Sequence, residues 1–293
     1  MKKYLASFYS PDLKRSAVRF KLQAEKMQVY DEIFLFNKDD LDEDFTNYVD
    51  DLLKKGKKRG YGHWVWQTFI HKHVLSKMKE GDIYHWCDIG CHFNHKGIDR
   101  LKEYIEIVSS EKKGFLGFSY KKPAFSSELK GYSFPANFDY QYTKTDLIKY
   151  FELSISDEII QTPQVWGGSF FIKKNEYSTK LMEEHFNITR YRYDLIDDDE
   201  KKFKENKHKG FIEHRHSQSV LSILAKKNDC RLLSAYESEW ALDANGQRTF
   251  EHLENFPIIA KRDKRKNIFG RFIDRQKKNL NRRYNKIKKF LNS

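Results

Sequence analysis

A carboxylate just past a strand and close to a glycine can hold a divalent ion against a diphosphate. The segment Gly81-Asp82-Ile83-Tyr84-His85-Trp86-Cys87-Asp88-Ile89-Gly90-Cys91-His92-Phe93-Asn94 offers that arrangement. Its β-branched and aromatic residues after a Gly-Asp turn read as a strand over 83–88. In an open α/β sheet ligands bind beyond the carboxyl ends of such strands, which is where Asp88 falls. Mg²⁺ usually takes one or two carboxylates and completes its sphere with phosphate oxygens and water, while Gly90 allows a close backbone approach. The plainer reading of Asp88, a strand-ending residue that caps the next helix, stands beside it.

Three later segments would face the same sheet edge. In Gln164-Val165-Trp166-Gly167-Gly168-Ser169-Phe170-Phe171-Ile172 the paired glycines either let a ligand come close or mark a β-bulge. Glu213-His214-Arg215-His216-Ser217-Gln218-Ser219 precedes a helical pattern, so backbone N–H groups and Arg215 could meet phosphate and His216 could be a second metal ligand. Equally, Ser217 is a helix N-cap and the histidines are surface residues. In Tyr142-Thr143-Lys144-Thr145-Asp146, Lys144 could pair with a diphosphate, or it is merely solvated. Trp64, Trp66 and Trp166 could stack on a sugar or base, although buried tryptophans more often serve packing. No G-x-x-x-x-G-K-[ST], G-x-G-x-x-G after a strand, H-E-x-x-H or G-x-S-x-G occurs, which removes the commonest kinases, dinucleotide enzymes, zincins and hydrolases.

The elements that must position these residues alternate. Strands are expected at 3–9, 32–36, 83–88, 114–119, 165–172 and 231–234. Helices are expected at 13–27, 41–54, 65–78, 96–109, 145–152, 176–186 and 218–227. This order argues for a mostly parallel α/β sheet with helices on both faces. The acidic run Asp197-Asp198-Asp199-Glu200 with its neighbouring lysines reads as an exposed, mobile loop.

Charge divides the 293 residues unevenly. Positions 261–293 hold 14 Lys or Arg against two Asp, a net +12 of the chain's +13. Phe269, Phe272, Ile273, Leu280, Tyr284, Ile287 and Leu291 recur there at helical spacing. A helix of this kind suits an anionic membrane surface, each nearby cation contributing on the order of 1 kcal/mol. The expected organisation is therefore a catalytic domain over 1–260 and a basic amphipathic membrane-associating tail over 261–293. A helix packed on its own domain and a nucleic-acid arm are the alternatives, but residues 1–260 carry almost none of the excess charge and no recognised nucleic-acid motif. No run is long enough to span a membrane, and the start has too short an apolar stretch for a secretory signal. The expected location is cytoplasmic, peripheral on the inner face of the inner membrane. Three cysteines, Cys87, Cys91 and Cys230, point to buried thiols rather than disulfides or structural zinc.

Taken together, the chain resembles bacterial GT-A-type glycosyltransferases of capsule, lipopolysaccharide and O-antigen clusters. The likeness rests on six blocks in order over most of residues 1–235. These are a first strand ending Ser7-Phe8-Tyr9; Gly60-Tyr61-Gly62-His63-Trp64-Val65-Trp66; Asp88-Ile89-Gly90-Cys91 followed by Asn94; Thr143-Lys144-Thr145-Asp146; Gly167-Gly168; and Glu213 to Ser219. The resemblance implies a Rossmann-like GT-A fold, a nucleotide-diphosphate sugar donor, a lipid-linked glycan acceptor, and a divalent metal, Mn²⁺ or Mg²⁺, where the family has D-x-D. Carried onto this chain, it implies donor contacts from Ser7, Tyr9, Trp64, Trp66, Asp88, Gly90, Lys144, Gly167, Gly168 and Arg215, and metal ligation by Asp88 and His216. The chain departs from the pattern in three places. Asp88-Ile89-Gly90 supplies one carboxylate of a D-x-D, Trp66-Gln67-Thr68 stands where relatives tend to have Trp-Lys-Pro, and Ser217 stands where they tend to have Asp. Glu213 and His214 are then the candidate general bases. An inverting transferase needs such a base and a retaining one does not, so the stereochemical course stays open. A nucleic-acid-binding protein and an inactive glycosyltransferase-like scaffold are the rival readings.

Overall fold

Strands of four to nine residues, mostly apolar and aromatic, build one central sheet. The computed structural model describes residues 1–127, 131–198 and 208–261. In it β1 (Lys3–Phe8), β2 (Glu32–Phe36), β3 (Ile83–Cys87), β4 (Phe115–Ser119), β5 (Val165–Lys173) and β6 (Arg231–Ser234) pair in the order β2-β1-β3-β5-β4-β6. β1 runs parallel to β2 and β3, and β4 parallel to β6, while β5 is antiparallel to both of its neighbours. The expected mostly parallel α/β sheet is what the chain forms. The reversed direction of β5 is the part that composition does not reveal, because a fully buried apolar strand reads the same from either end.

The helices are α1 (Lys14–Lys26), α2 (Glu43–Lys54), α3 (Val65–Lys77), α4 (Ile98–Ser110), α5 (Thr145–Tyr150), α6 (Glu176–Tyr191) and α7 (His216–Lys227). Local caps fix several starts. Asp42 accepts the Phe45 N–H at 2.8 Å, and Asn175 and Ser178 form a reciprocal capping box at the head of α6. Alternation along the strands sorts the core into two layers. Tyr4, Ala6, Phe8, Tyr84, Trp86, Phe170 and Ile172 face a cluster built with α2, α3, α6 and α7. Leu5, Ile83, Cys87, Leu116, Phe118 and Phe171 face the one built with α1 and α4. Helices thus cover both faces. All three cysteines are buried and unbridged.

The described residues all belong to one compact unit, Met1–Lys261. Apart from Lys261, the amphipathic-tail reading falls outside the described residues, as does the part of the acidic-loop reading at 199–207. No helix among the described residues is long and apolar enough to cross a membrane.

Candidate functional site

The chain passes from β1 through α1 to β2 on one side of the sheet, then returns to β3 on the other side of β1. Connections therefore diverge above the carboxyl ends of β1 and β3, the position at which open α/β sheets bind ligands. Tyr9 and Ser10 follow β1 at this edge and Asp88 follows β3. Arg19 of α1 donates to the carbonyls of Ile89 at 2.7 Å and Cys91 at 2.6 Å, fixing the loop that carries Asp88 and Gly90. Asp88 N–H donates to Gly168 O at 2.8 Å, which carries the β3–β5 ladder one step past the strand. At the β1–α1 turn the exposed residues Pro11, Asp12, Lys14, Arg15 and Val18 line an open surface depression.

Of the two readings of the paired glycines, the structure shows the β-bulge. The β4–β5 register shifts between Leu116↔Phe171 and Phe118↔Trp166, so the strand bulges around Gly167 and Gly168. A Cβ on Gly167 would meet Gln218 at 3.3 Å, and one on Gly168 would fall into the Trp166 ring. An amide network seats the bulge. Gln67 donates to Gly167 O at 3.2 Å and accepts from Ser217 Oγ at 3.1 Å, while Gln218 accepts from Gly167 N–H at 3.1 Å and donates to Gln164 at 2.8 Å. Ser217 lies inside α7 rather than capping it, since the helix begins at His216 and its cap position, Arg215, makes no side-chain cap.

The aromatic block forms a left-handed turn. Gly60, Tyr61, Gly62, His63 and Trp64 have φ of 57°, 56°, 89°, 57° and 61°, a conformation costing an L-residue about 1–2 kcal/mol each. A Cβ at Gly60 would sit inside the Trp64 ring. Trp66 clasps the turn by donating to Gly60 O at 3.0 Å, and its ring stacks on Phe8 at 4.0 Å inside the core.

This turn delivers His63 to His216, the rings stacking at 4.1 Å. His63 Nδ1 bonds the Tyr193 hydroxyl at 2.9 Å. His216 Nδ1 lies 2.8 Å from Ile196 O; a carbonyl only accepts, so this nitrogen carries the proton and Nε2 the lone pair. That Nε2 is buried without a hydrogen-bond partner. Asp198 closes the group, with Oδ1 3.4 Å from His63 Nε2 and Oδ2 3.8 Å from His216 Nε2. One ligand atom from each of the three residues lies within 4.8 Å of the others. Burial, helped by the nearby His63, holds the His216 pKa down to about 3. Burial also lowers that of His63, against the pull of Asp198 and Asp197. Asp197 pairs with Lys57 at 2.6 Å. The beginning of the acidic run is therefore not a solvated loop. It turns its carboxylates toward a lysine and two buried histidines.

Several of the other expected residues adjoin this cluster. His214 is buried, takes the Lys144 amide on Nδ1 at 3.4 Å, and has its pKa pushed well below the usual range by burial. Lys144 Nζ donates to the carbonyls of Asp194 and, at 3.0 Å, Asp197. Glu213 pairs with Arg59 at 3.1 Å and lies 3.6 Å from Arg215. Arg215 lies over the Tyr142 ring at 3.6 Å and reaches Gln164 at 3.4 Å. Trp64 is half-buried beside His216, their rings 5.6 Å apart, and the Ser7 hydroxyl is buried in β1 without a hydrogen-bond partner. Asp88 and Gly168 are thus brought together. His216 joins His63 and Asp198, a group that does not include Asp88. Sequence reasoning missed His63, Asp198 and the amides of Gln67, Gln164 and Gln218. The Gly-Tyr-Gly-His run was the available signal for His63, because alternating glycines mark a backbone that must turn left-handed.

No family model matches the chain, and no curated protein does. Among solved structures it is similar to a glycosyltransferase involved in the glycosylation of the major capsid of PBCV-1, at 11% identity over 90% of this chain and 96% of that one, TM-score 0.46. It is also similar to mouse xyloside xylosyltransferase 1, at 8% identity over 81% and 87%, TM-score 0.39. A third is the galactosyltransferase LgtC, at 9% identity over 89% and 84%, TM-score 0.37. Likeness at these scores fixes neither fold nor chemistry, and the α/β assignment stands on the sheet's own strand order.

Proposed function

We propose that the protein is a glycosyltransferase that moves a hexose or related sugar from a nucleotide-diphosphate donor to a lipid-linked surface glycan of the capsule, lipopolysaccharide or O-antigen kind. The observation that carries this reading is the topological switch point at the carboxyl ends of β1 and β3, where Asp88 follows β3 with its amide bonded to the bulged glycine strand. A dinucleotide enzyme would use the same switch point but needs a glycine fingerprint after β1, where this chain has Ser10-Pro11-Asp12.

In this reading Asp88 is the proposed carboxylate for Mn²⁺ or Mg²⁺. A single carboxylate suits a hard ion that takes most of its oxygens from phosphate and water. The ion would neutralise charge on the departing diphosphate. Arg215, oriented by Tyr142 and Gln164, would add a cation to the same charge. Glu213 remains the proposed base for an inverting course; His214, being buried, would need the acceptor hydroxyl to reach it. Residues 261–293 are proposed to hold residues 1–260 at the cytoplasmic face of the inner membrane, the stripe and net charge of that segment supporting the idea.

A thermal-shift series with UDP-, GDP-, CMP- and TDP-sugars, with and without Mn²⁺, tests the donor. A ligand at a hundred times its Kd stabilises by about 2.7 kcal/mol. A metal-dependent shift with one donor, lost in Asp88→Ala, is expected; a folded protein that answers no donor overturns the reading. Deletion of 261–293 should abolish binding to anionic liposomes, and undiminished binding would remove the membrane role.

A further inference from the structure

His63, Asp198 and His216 sit apart from Asp88 in the ligand set they offer: two neutral imidazole nitrogens and one carboxylate. Each histidine is fixed through its other nitrogen, His63 to the Tyr193 hydroxyl and His216 to the Ile196 carbonyl. Histidines that bind a metal are held in this way, with the far nitrogen bonded and the near one bare. The His216 Nε2 is fully buried and has no protein partner, an unusual cost unless another ligand satisfies it. Both histidines also hold left-handed backbone, at φ 57° and 50°, which persists only where the surroundings demand it. The separations of 3.4 and 3.8 Å from Asp198 to the two Nε2 atoms compare with the roughly 3.3 Å edge of a tetrahedron drawn at ordinary zinc bond lengths.

We propose that His63 Nε2, Asp198 and His216 Nε2 bind a divalent transition metal of the zinc class. The nitrogen-rich set selects against Mg²⁺ and Ca²⁺, which favour oxygen. Three protein ligands leave a fourth position, as in zinc sites that exchange a water or substrate oxygen. Lys57, paired with Asp197, and Arg59, paired with Glu213, stand nearby, so an anionic oxygen suits that position. The ion would tie three pieces of chain that meet nowhere else in sequence: the left-handed turn, the segment after α6, and the head of α7. The site needs no sugar nucleotide, and it stands or falls independently of the transferase reading.

The test is equilibrium binding of Zn²⁺, and of Co²⁺ by its visible absorption, to the full chain stripped with chelator. One saturable equivalent with the intense bands of tetrahedral Co²⁺ is expected. Affinity should fall at least about tenfold in His63→Ala, His216→Ala and Asp198→Asn, and hold in Asp88→Ala. Circular dichroism checks the folding of each variant. If either histidine variant is unfolded, Asp198→Asn decides, because that side chain is 36% exposed and Asn keeps its shape. No saturable binding to the intact chain, undiminished binding in Asp198→Asn, or loss of the site in a folded Asp88→Ala overturns the proposal.

Discussion

Two groups of buried histidines share this fold and differ in what faces them. His71, His85 and His185 lie in the core. His85 bonds the Tyr30 hydroxyl at 2.6 Å and Ser169 at 2.9 Å, and its ring stacks on Phe171 at 4.0 Å. His71 bonds the Tyr84 hydroxyl and lies edge-on to Trp86 and Phe170. His63, His214 and His216 gather instead where the left-handed turn meets α7. Each group contains ring nitrogens with no hydrogen-bond partner, His71 Nε2 and His185 Nδ1 in the first, His214 Nε2 and His216 Nε2 in the second. An orphaned nitrogen alone therefore does not make a site. What separates the groups is Asp198, whose two oxygens face two imidazoles, and the backbone strain that holds those imidazoles in place. The core set is wrapped in aromatic rings that offer a metal nothing further.

Acid is the strongest way to break the core set. Burial lowers the pKa of His85 to about 3 and that of His185 to about 4. Above the ordinary value near 6.5 these groups are neutral in both states and pH does not matter to them. Below it the unfolded chain binds protons that the folded chain refuses, so stability falls with falling pH by about 1.4 kcal/mol per unit for each histidine. The loss continues until each group's own folded pKa is reached. Across two or more units this amounts to several kcal/mol against a native stability of about 5–15 kcal/mol. Denaturant titrations between pH 7 and 4 should show the slope, and His185→Gln should flatten it by one proton; an unchanged slope in that variant would show that His185 is not held neutral.

Next in size is Gly60→Ala. Its φ of 57° penalises any Cβ, and this Cβ would strike the Trp64 ring. The combined cost is about 2–4 kcal/mol, from left-handed strain and overpacking together. Because the Trp66 clasp ends on Gly60 O, the damage should fall on the turn and on His63, leaving the core histidines in place. The expected result is a lower midpoint in chemical denaturation and loss of the Zn²⁺ response, with the His85 and His185 titrations unchanged by NMR. A midpoint equal to that of the parent would mean the turn is not built as described.

These residues also mark how far sequence reasoning reaches. The strands and helices were legible because burial imposes periods of 2 and 3.6 on the chain, and the ends of α2 and α6 carry their own capping residues. Asp88 was legible from its place after a strand, and the paired glycines from the rarity of Gly inside apolar runs. The direction of β5 was not, since it depends on a connection whose intermediate elements are one- and two-turn helices. The pairing of His63 with Asp198 and His216 was hidden for a different reason: it joins positions 135 and 153 residues apart through a turn of unusual handedness. Composition actively misled at Asp197 and Asp198, because an acidic run resembles solvated loop until Lys57 and two histidines are placed against it.

The smallest expected effect separates the two groups best. Asp198 is partly exposed, and in the metal-free chain Asp198→Asn removes only a screened interaction with neutral rings, so its stability should stay within about 0.5 kcal/mol of the parent. With Zn²⁺ at a hundred times its Kd, the parent should gain about 2.7 kcal/mol and the variant little of it. The same substitution is thus silent without metal and plain with it, whereas a variant of His85 should weaken the protein equally in both conditions. If Asp198→Asn destabilised the metal-free chain as much as a core variant does, Asp198 would be a structural acid holding a protonated His63, and the two sets of histidines would differ in degree only.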